Sequence, residues 1–146
     1  MENQIYRETL ASLYTQYLAE LSAFSSVYRY AKPENIIDAY EESRGASVRL
    51  IFSDGEPSGF ASWRDPGKTV SGADIFIDDI YILPEKRRNG LALSEVKKIT
   101  SEKKILGVYV LPSNLPAMRF WEKTGQAFSS EKTSDGMFFY RIKMRG

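Results

Sequence analysis

Ile75-Phe76-Ile77-Asp78-Asp79-Ile80-Tyr81-Ile82-Leu83-Pro84-Glu85-Lys86-Arg87-Arg88-Asn89-Gly90-Leu91-Ala92 is the stretch that decides the fold. Its first half is β-branched and aromatic, interrupted by two aspartates, and a strand must stop at Leu83-Pro84 because proline cannot donate to a sheet ladder. From Gly90 onward the period changes. Ala92, Leu93, Val96 and Ile99 stand three or four apart, interleaved with Ser94, Glu95, Lys97 and Lys98, which is helical spacing. Strand, short basic loop and helix start together make an anion site. A helix N-terminus leaves about four backbone N–H groups unpaired and carries roughly half a positive elementary charge. With Arg87 and Arg88 alongside, the loop is expected to bind a pyrophosphate.

Arg87-Arg88-Asn89-Gly90-Leu91-Ala92 resembles the Arg/Gln-x-x-Gly-x-Gly/Ala signature of the GNAT acyl-CoA N-acyltransferases, and it follows a Leu-Pro-Glu-ended strand as in that family. A second match lies downstream. Val108-Tyr109-Val110-Leu111-Pro112-Ser113-Asn114, then Ala117, Phe120-Trp121-Glu122-Lys123 and Gly125, resembles the family's strand-Asn-helix segment before its closing strands. The resemblance spans residues 47–144. Other phosphate loops fit badly, because a P-loop needs Gly-Lys-Ser/Thr at its end and a dinucleotide fingerprint needs a second and third glycine.

Charge and composition bound the rest. The chain has 146 residues, 42% of them hydrophobic, which suits one domain with one buried core. Its 20 basic and 19 acidic residues leave a net charge of +1, against the strongly basic face of a nucleic-acid binder. Without cysteine there are no disulfides, thiolate nucleophiles or thiolate metal sites; without histidine, no imidazole base and not the commonest metal ligand. No metal site is expected, and acid–base work falls to Asp, Glu, Tyr, Lys or solvent. No apolar run approaches the ~20 residues of a membrane span, and Met1-Glu2-Asn3-Gln4 lacks signal-peptide character, so a cytoplasmic location is expected.

Taken in order, residues 3–24 carry Tyr6, Leu10, Leu13, Tyr14, Tyr17, Leu18 and Leu21 at helical spacing. Residues 25–32 read as a connection, and Pro33 opens a short helix through Tyr40 that Glu41 to Gly45 ends. Its carboxylates Glu34, Asp38, Glu41 and Glu42 read as a solvated face. Residues 47–53 and 59–64 form a β-hairpin around Asp54-Gly55-Glu56-Pro57. After the 75–83 strand, a helix is expected from Gly90 to Lys104, then a strand over 105–111 parallel to the first through a right-handed crossover. Ser113 or Asn114 caps a helix to Lys123, with Gly125 in the C′ position. Residues 126–130 and 137–144 pair around Thr133-Ser134-Asp135-Gly136.

The resemblance implies an α/β fold. Its sheet is mixed, mostly antiparallel and twisted, has helices on both faces, and carries a splayed parallel strand pair that holds acetyl-CoA. It implies that Ile80, Tyr81 and Ile82 meet the pantetheine arm, and that the N–H groups of Arg87, Arg88, Asn89, Gly90, Leu91 and Ala92 take the pyrophosphate. Asn114, Ala117 and Trp121 would add further cofactor contacts. Arg88 and Lys98 read either as phosphate ligands or as solvated cations. An N–H of the central strand would polarise the thioester carbonyl.

A primary amine with pKa near ~10 must lose a proton before it attacks. Asp78 and Asp79 are the candidate bases, and strict alternation would set them on opposite faces of the strand. By resemblance to amine-modifying members, Asp78 is the favoured one. The family's acidic Tyr is replaced by Trp121, whose N–H cannot serve as an acid near neutrality; Tyr109 or solvent is left to protonate the thiolate. A small-molecule amine is the expected acceptor, with polyamines, amino acids, antibiotics and protein N-termini all open. The missing tyrosine and the helical start motivate an alternative, a non-catalytic acyl-CoA-binding or regulatory module. The family's habits also allow a homodimer.

Overall fold

A computed structural model describes residues 2–101 and 105–144. A long helix α1 (Glu2–Leu21) is followed by a 3-10 turn (Ser26–Tyr30), helix α2 (Pro33–Glu42) and strands β1 (Ala46–Ser53), β2 (Glu56–Arg64) and β3 (Ile75–Ile82). Then come a 3-10 turn (Pro84–Lys86), α3 (Leu91–Thr100), β4 (Ile105–Val110), α4 (Leu115–Thr124), β5 (Gly125–Lys132) and β6 (Phe138–Met144). The expected continuation of α3 to Lys104 lies outside the described residues beyond Ser101. Among the described residues no helix is long and apolar enough to cross a membrane.

The strands form one sheet in the order β1-β2-β3-β4-β6-β5, antiparallel throughout except for the parallel β3–β4 pair. Asp54 and Gly55, with φ of 53° and 78°, close the β1–β2 hairpin as the primed turn that Asp-Gly favours. Thr133 and Gly136, the latter at φ 88°, close the β5–β6 hairpin.

Helices cover both faces. On one, Leu10, Leu13 and Tyr14 of α1 and Ile37 of α2 bury against Leu50, Phe60 and Tyr81. On the other, Val96 and Ile99 of α3 and Trp121 of α4 bury against Ile75, Ile77, Leu106, Val108 and Ile142. Each such side chain contributes roughly 1.5–3 kcal/mol on leaving water. Tyr6 fastens α1 to the edge strand, donating to the Val48 carbonyl at 3.3 Å and accepting from the Leu50 N–H at 3.2 Å.

Three local expectations change. The connection over 25–32 contains a 3-10 turn. β2 begins earlier than residue 59, at Glu56, because the turn needs only Asp54 and Gly55. Gly125 is not a left-handed helix stop: its φ of −157° is extended and begins β5 directly. Glycine is required there for space, since a Cβ would come within 2.7 Å of the Ile142 side chain and the Lys143 carbonyl.

Candidate active site

β3 and β4 run together only briefly. Ile75, Phe76 and Ile77 pair with Leu106, Gly107 and Val108; beyond that β3 continues to Ile82 against β2, and β4 continues to Val110 against β6. Each strand therefore keeps an antiparallel partner on its outer side while the inner edges part. The ladder dictates what faces the gap. The Leu83 N–H donates to the Ser58 carbonyl at 2.8 Å, so alternation turns the N–H and C=O groups of Tyr81 toward β2 as well, and those of Ile80 and Ile82 toward the gap.

Two helices start at this same end of the sheet. α3 opens with the Ser94 N–H donating to the Gly90 carbonyl at 3.0 Å, so the amides just before it have no partner within the helix. Arg88 and Gly90 both adopt left-handed backbone, with φ of 68° and 76°, and such residues turn successive N–H groups into a concave anion site. A Cβ at Gly90 would meet nothing within 4 Å, so the space in front of the loop is open. A groove of about 520 Å³ runs on from it, lined by Gly90, Leu93, Ser94, Lys97 and Lys98.

The side chains named from the sequence divide at this point. Arg87 turns away from the groove: its Nε donates to the Ile82 carbonyl at 2.8 Å, its Nη2 bonds Glu20 of α1 at 2.9 and 3.0 Å, and it lies over the Tyr81 ring. The Arg87 N–H is turned back onto the Pro84 carbonyl. Arg88 and Asn89 are exposed at the loop, while Leu91 and Ala92 are half-buried against the core. Asn114 caps α4, its Oδ1 accepting from the Ala117 N–H at 3.2 Å. Trp121 is buried in the core, its ring edge-on to Phe120. Asn114, Ala117 and Trp121 thus build and anchor α4.

The aspartates depart from simple alternation. Across the β2–β3 ladder Ser62 faces Asp79 and Trp63 faces Ile77, so Asp78 is the extra residue of a β-bulge. The bulge shifts the phase of the strand. Ile75, Ile77, Ile80 and Ile82 all pack toward α3 and α4, while Tyr81 packs with α1. Asp78 and Asp79 therefore do not lie on opposite faces; both reach the α1/α2 side.

There Asp79 accepts from the Tyr17 hydroxyl at 2.8 Å and from the Ser62 hydroxyl at 2.9 Å. Asp78 accepts from the Tyr40 hydroxyl at 2.8 Å and is gripped by Arg64, whose Nε and Nη2 approach it at 2.9 Å. Burial pushes the Asp79 carboxyl above the usual range; its two hydroxyl donors oppose that and the neighbouring Asp78 charge adds to it. Burial also pushes Tyr17 and Tyr40 well up, reinforced by the Asp79 charge, so both stay neutral donors. Tyr109, on β4 beyond the parting, is 44% exposed with its ring 4.7 Å from that of Phe139.

Tyr17, Tyr40, Ser62 and Arg64 are the partners of the two aspartates that sequence reasoning did not single out. A signal existed for one of them: Ser62 continues the period of two set by buried Phe60 and is itself a polar residue facing inward, while Arg64, next on the same face, stays exposed.

Comparisons with known proteins bear on the fold. A search of curated proteins finds no match. Among solved structures, an aminoglycoside 6′-acetyltransferase type Ii aligns with a TM-score of 0.67 and 12% identity, over 97% of this chain and 91% of the other. An acetyltransferase from Thermus thermophilus aligns at 0.64 and 16%, over 77% and 73%. The PaiA N-acetyltransferase of Thermoplasma acidophilum, solved in complex with coenzyme A, aligns at 0.56 and 20%, over 96% and 89%. At these identities the likeness is one of fold. The sequence profile of the acetyltransferase (GNAT) family matches residues 9–126, which takes in most of α1, the parted strands and the α3 loop, and the chain belongs to that family.

Proposed function

We propose that the protein is an N-acetyltransferase that moves an acetyl group from acetyl-CoA to a primary amine by direct attack within a ternary complex. The observation that carries this reading is the parting of β3 from β4 beyond Ile77 and Val108, with the α3 loop at its mouth. The residues present fit the cofactor. Ile80 offers its N–H and C=O in the gap for the amides of the pantetheine arm and Ile82 its N–H, its carbonyl being held by Arg87, and the Arg88–Ala92 amides offer an open anion site for the pyrophosphate. The bound cofactor supplies an acyl group activated as a thioester, whose thiol leaving group has a pKa of about 8.5.

The chain's own residues then hold the amine and take its proton. An amine of pKa near ~10 is almost wholly protonated at neutral pH, so a carboxylate must accept the proton directly or through water. The geometry favours Asp79 over Asp78. Both oxygens of Asp78 are already engaged, by the guanidinium fork of Arg64 and by the Tyr40 hydroxyl. Asp79 has neutral partners and a raised pKa, which brings its basicity nearer the operating pH. Tyr109 stands exposed as the candidate acid for the thiolate.

Calorimetric titration with acetyl-CoA, followed by an amine panel read out by thiol release, tests this function. Saturable binding with amine-dependent thiol release is expected. Absence of binding overturns the reading, and binding without transfer to any amine leaves a cofactor-binding module instead.

A further inference from the structure

Resting on the transferase reading, the charge balance of the α1/α2 face selects among acceptors. Asp78 is already neutralised by Arg64. Asp38 and Glu41 of α2, which would otherwise add negative charge nearby, are both taken by Arg7. Asp135 at the β5–β6 turn is exposed and screened by solvent. Asp79 is left as the carboxylate whose partners, Tyr17 and Ser62, are neutral.

The surroundings of Asp79 are aromatic. Tyr14, Tyr17 and Phe60 pack ring against ring beside it, and Tyr28, on the turn after α1, is close enough for the Asp79 charge to hold its proton on, in addition to the effect of its burial. The same turn leaves Val27 71% and Tyr30 83% exposed. The Tyr14 hydroxyl, on a residue only 1% exposed, is a buried polar side-chain atom without a hydrogen-bond partner among the described residues. Burial and the nearby Asp79 charge keep it protonated, while the Ser62 hydroxyl beside it opposes the shift, so Tyr14 belongs to the same neutral hydroxyl cluster around Asp79. Asp78, at 19% side-chain exposure, shows that the face is reachable from solvent.

We infer that the acceptor is a monocationic primary amine carried on an aromatic or apolar body, and that Arg64 is the residue that excludes di- and polycationic amines by occupying Asp78. A polycation needs several uncompensated carboxylates close together, whereas of the two at the bulge only Asp79 is without an ion pair among the described residues, and it is set among rings that favour a single ammonium and a flat apolar body. Arg64 acts on specificity twice: it removes a second anionic docking point, and its own charge repels a second ammonium.

Phenethylamine and spermidine are the probes, each measured in two ways: kcat/KM for thiol release from acetyl-CoA, and calorimetric binding to the protein saturated with coenzyme A, where no transfer occurs. The wild type should prefer phenethylamine over spermidine by about tenfold or more in both measurements. Arg64→Ala should reduce that ratio about tenfold by improving spermidine, and Arg64→Lys should leave it near the wild-type value, which separates charge from any folding defect. A wild type that prefers spermidine, binds neither amine, or keeps its ratio in Arg64→Ala overturns the inference. Binding with the expected preference but no transfer would leave the inference standing and overturn the transferase reading.

Discussion

Tyr17 of α1 and Asp79 of β3 are joined by a 2.8 Å hydrogen bond between residues 62 positions apart, which couples the helix that walls one face of the sheet to the bulged strand beneath it. The bond is oriented by chemistry: a phenol whose pKa is raised by burial donates, and a desolvated carboxylate accepts. Replacing Tyr17 by Phe removes a donor to the ionised form, so the Asp79 pKa should rise further. The acid limb of kcat/KM should move to higher pH, and stability should fall by about 1.5–3 kcal/mol. A pH–rate profile alongside thermal melting checks both.

Asp79→Asn should separate activity from stability. Asp79 has a folded pKa above its unfolded one, so the native state binds its proton more tightly than the unfolded chain does. Its contribution is most favourable below the ordinary carboxylate pKa of about 3.9 and is lost as pH rises through the raised folded value. At neutral pH the ionised side chain is thus a net cost that Asn does not carry. The variant should lose about 10²–10⁴-fold in kcat/KM while its melting temperature at pH 7 equals or exceeds the wild type's. A large loss of stability at pH 7 would contradict the assignment of a desolvated base.

Glycines at 59 and 90 should respond to alanine in opposite ways. A Cβ at Gly59 would lie 2.0 Å from the Tyr81 carbonyl oxygen, a backbone atom of the paired strand that cannot move aside. Gly59→Ala should cost about 3 kcal/mol or more by forcing β2 from β3. Gly90 meets nothing, so Gly90→Ala should cost only about 1 kcal/mol, from its left-handed backbone. Its main effect should be weaker acetyl-CoA binding, read by calorimetry.

Glu20 competes for the side chain that the loop would otherwise turn on a phosphate. The Arg87–Glu20 pair is more than two-fifths exposed on both sides, at 43% and 44%, so breaking it should change stability by no more than about 1 kcal/mol. Glu20→Gln should tighten acetyl-CoA binding several-fold by freeing the guanidinium. Weaker binding in this variant would mean that Arg87 serves the site by tying α1 to the loop.

Most of the architecture was legible because it rests on local signals: β-branched runs, helical periods, Asp54-Gly55 and Pro33 each dictate their own backbone. The strand–loop–helix turn over 82–91 was legible for the same reason. The aspartates were not, because alternation holds only for a regular strand, and the bulge at Asp78 arises from the β2–β3 register, a long-range property. Arg87 was misjudged in its side chain because nothing local says that Glu20 lies within reach across the fold. Trp121 was drawn toward the cofactor by its motif position, while its place at the centre of the α3/α4 core depends on packing across the sheet.

Residue-resolved amide exchange by NMR, with and without saturating acetyl-CoA, tests the central claim most directly. Ile80 and Ile82, whose backbone groups face the parted edge, should slow by about tenfold or more on binding, while Tyr81, already paired to β2, should hardly change. Saturable binding that leaves Ile80 and Ile82 exchanging as fast as before would contradict a cofactor seated between β3 and β4.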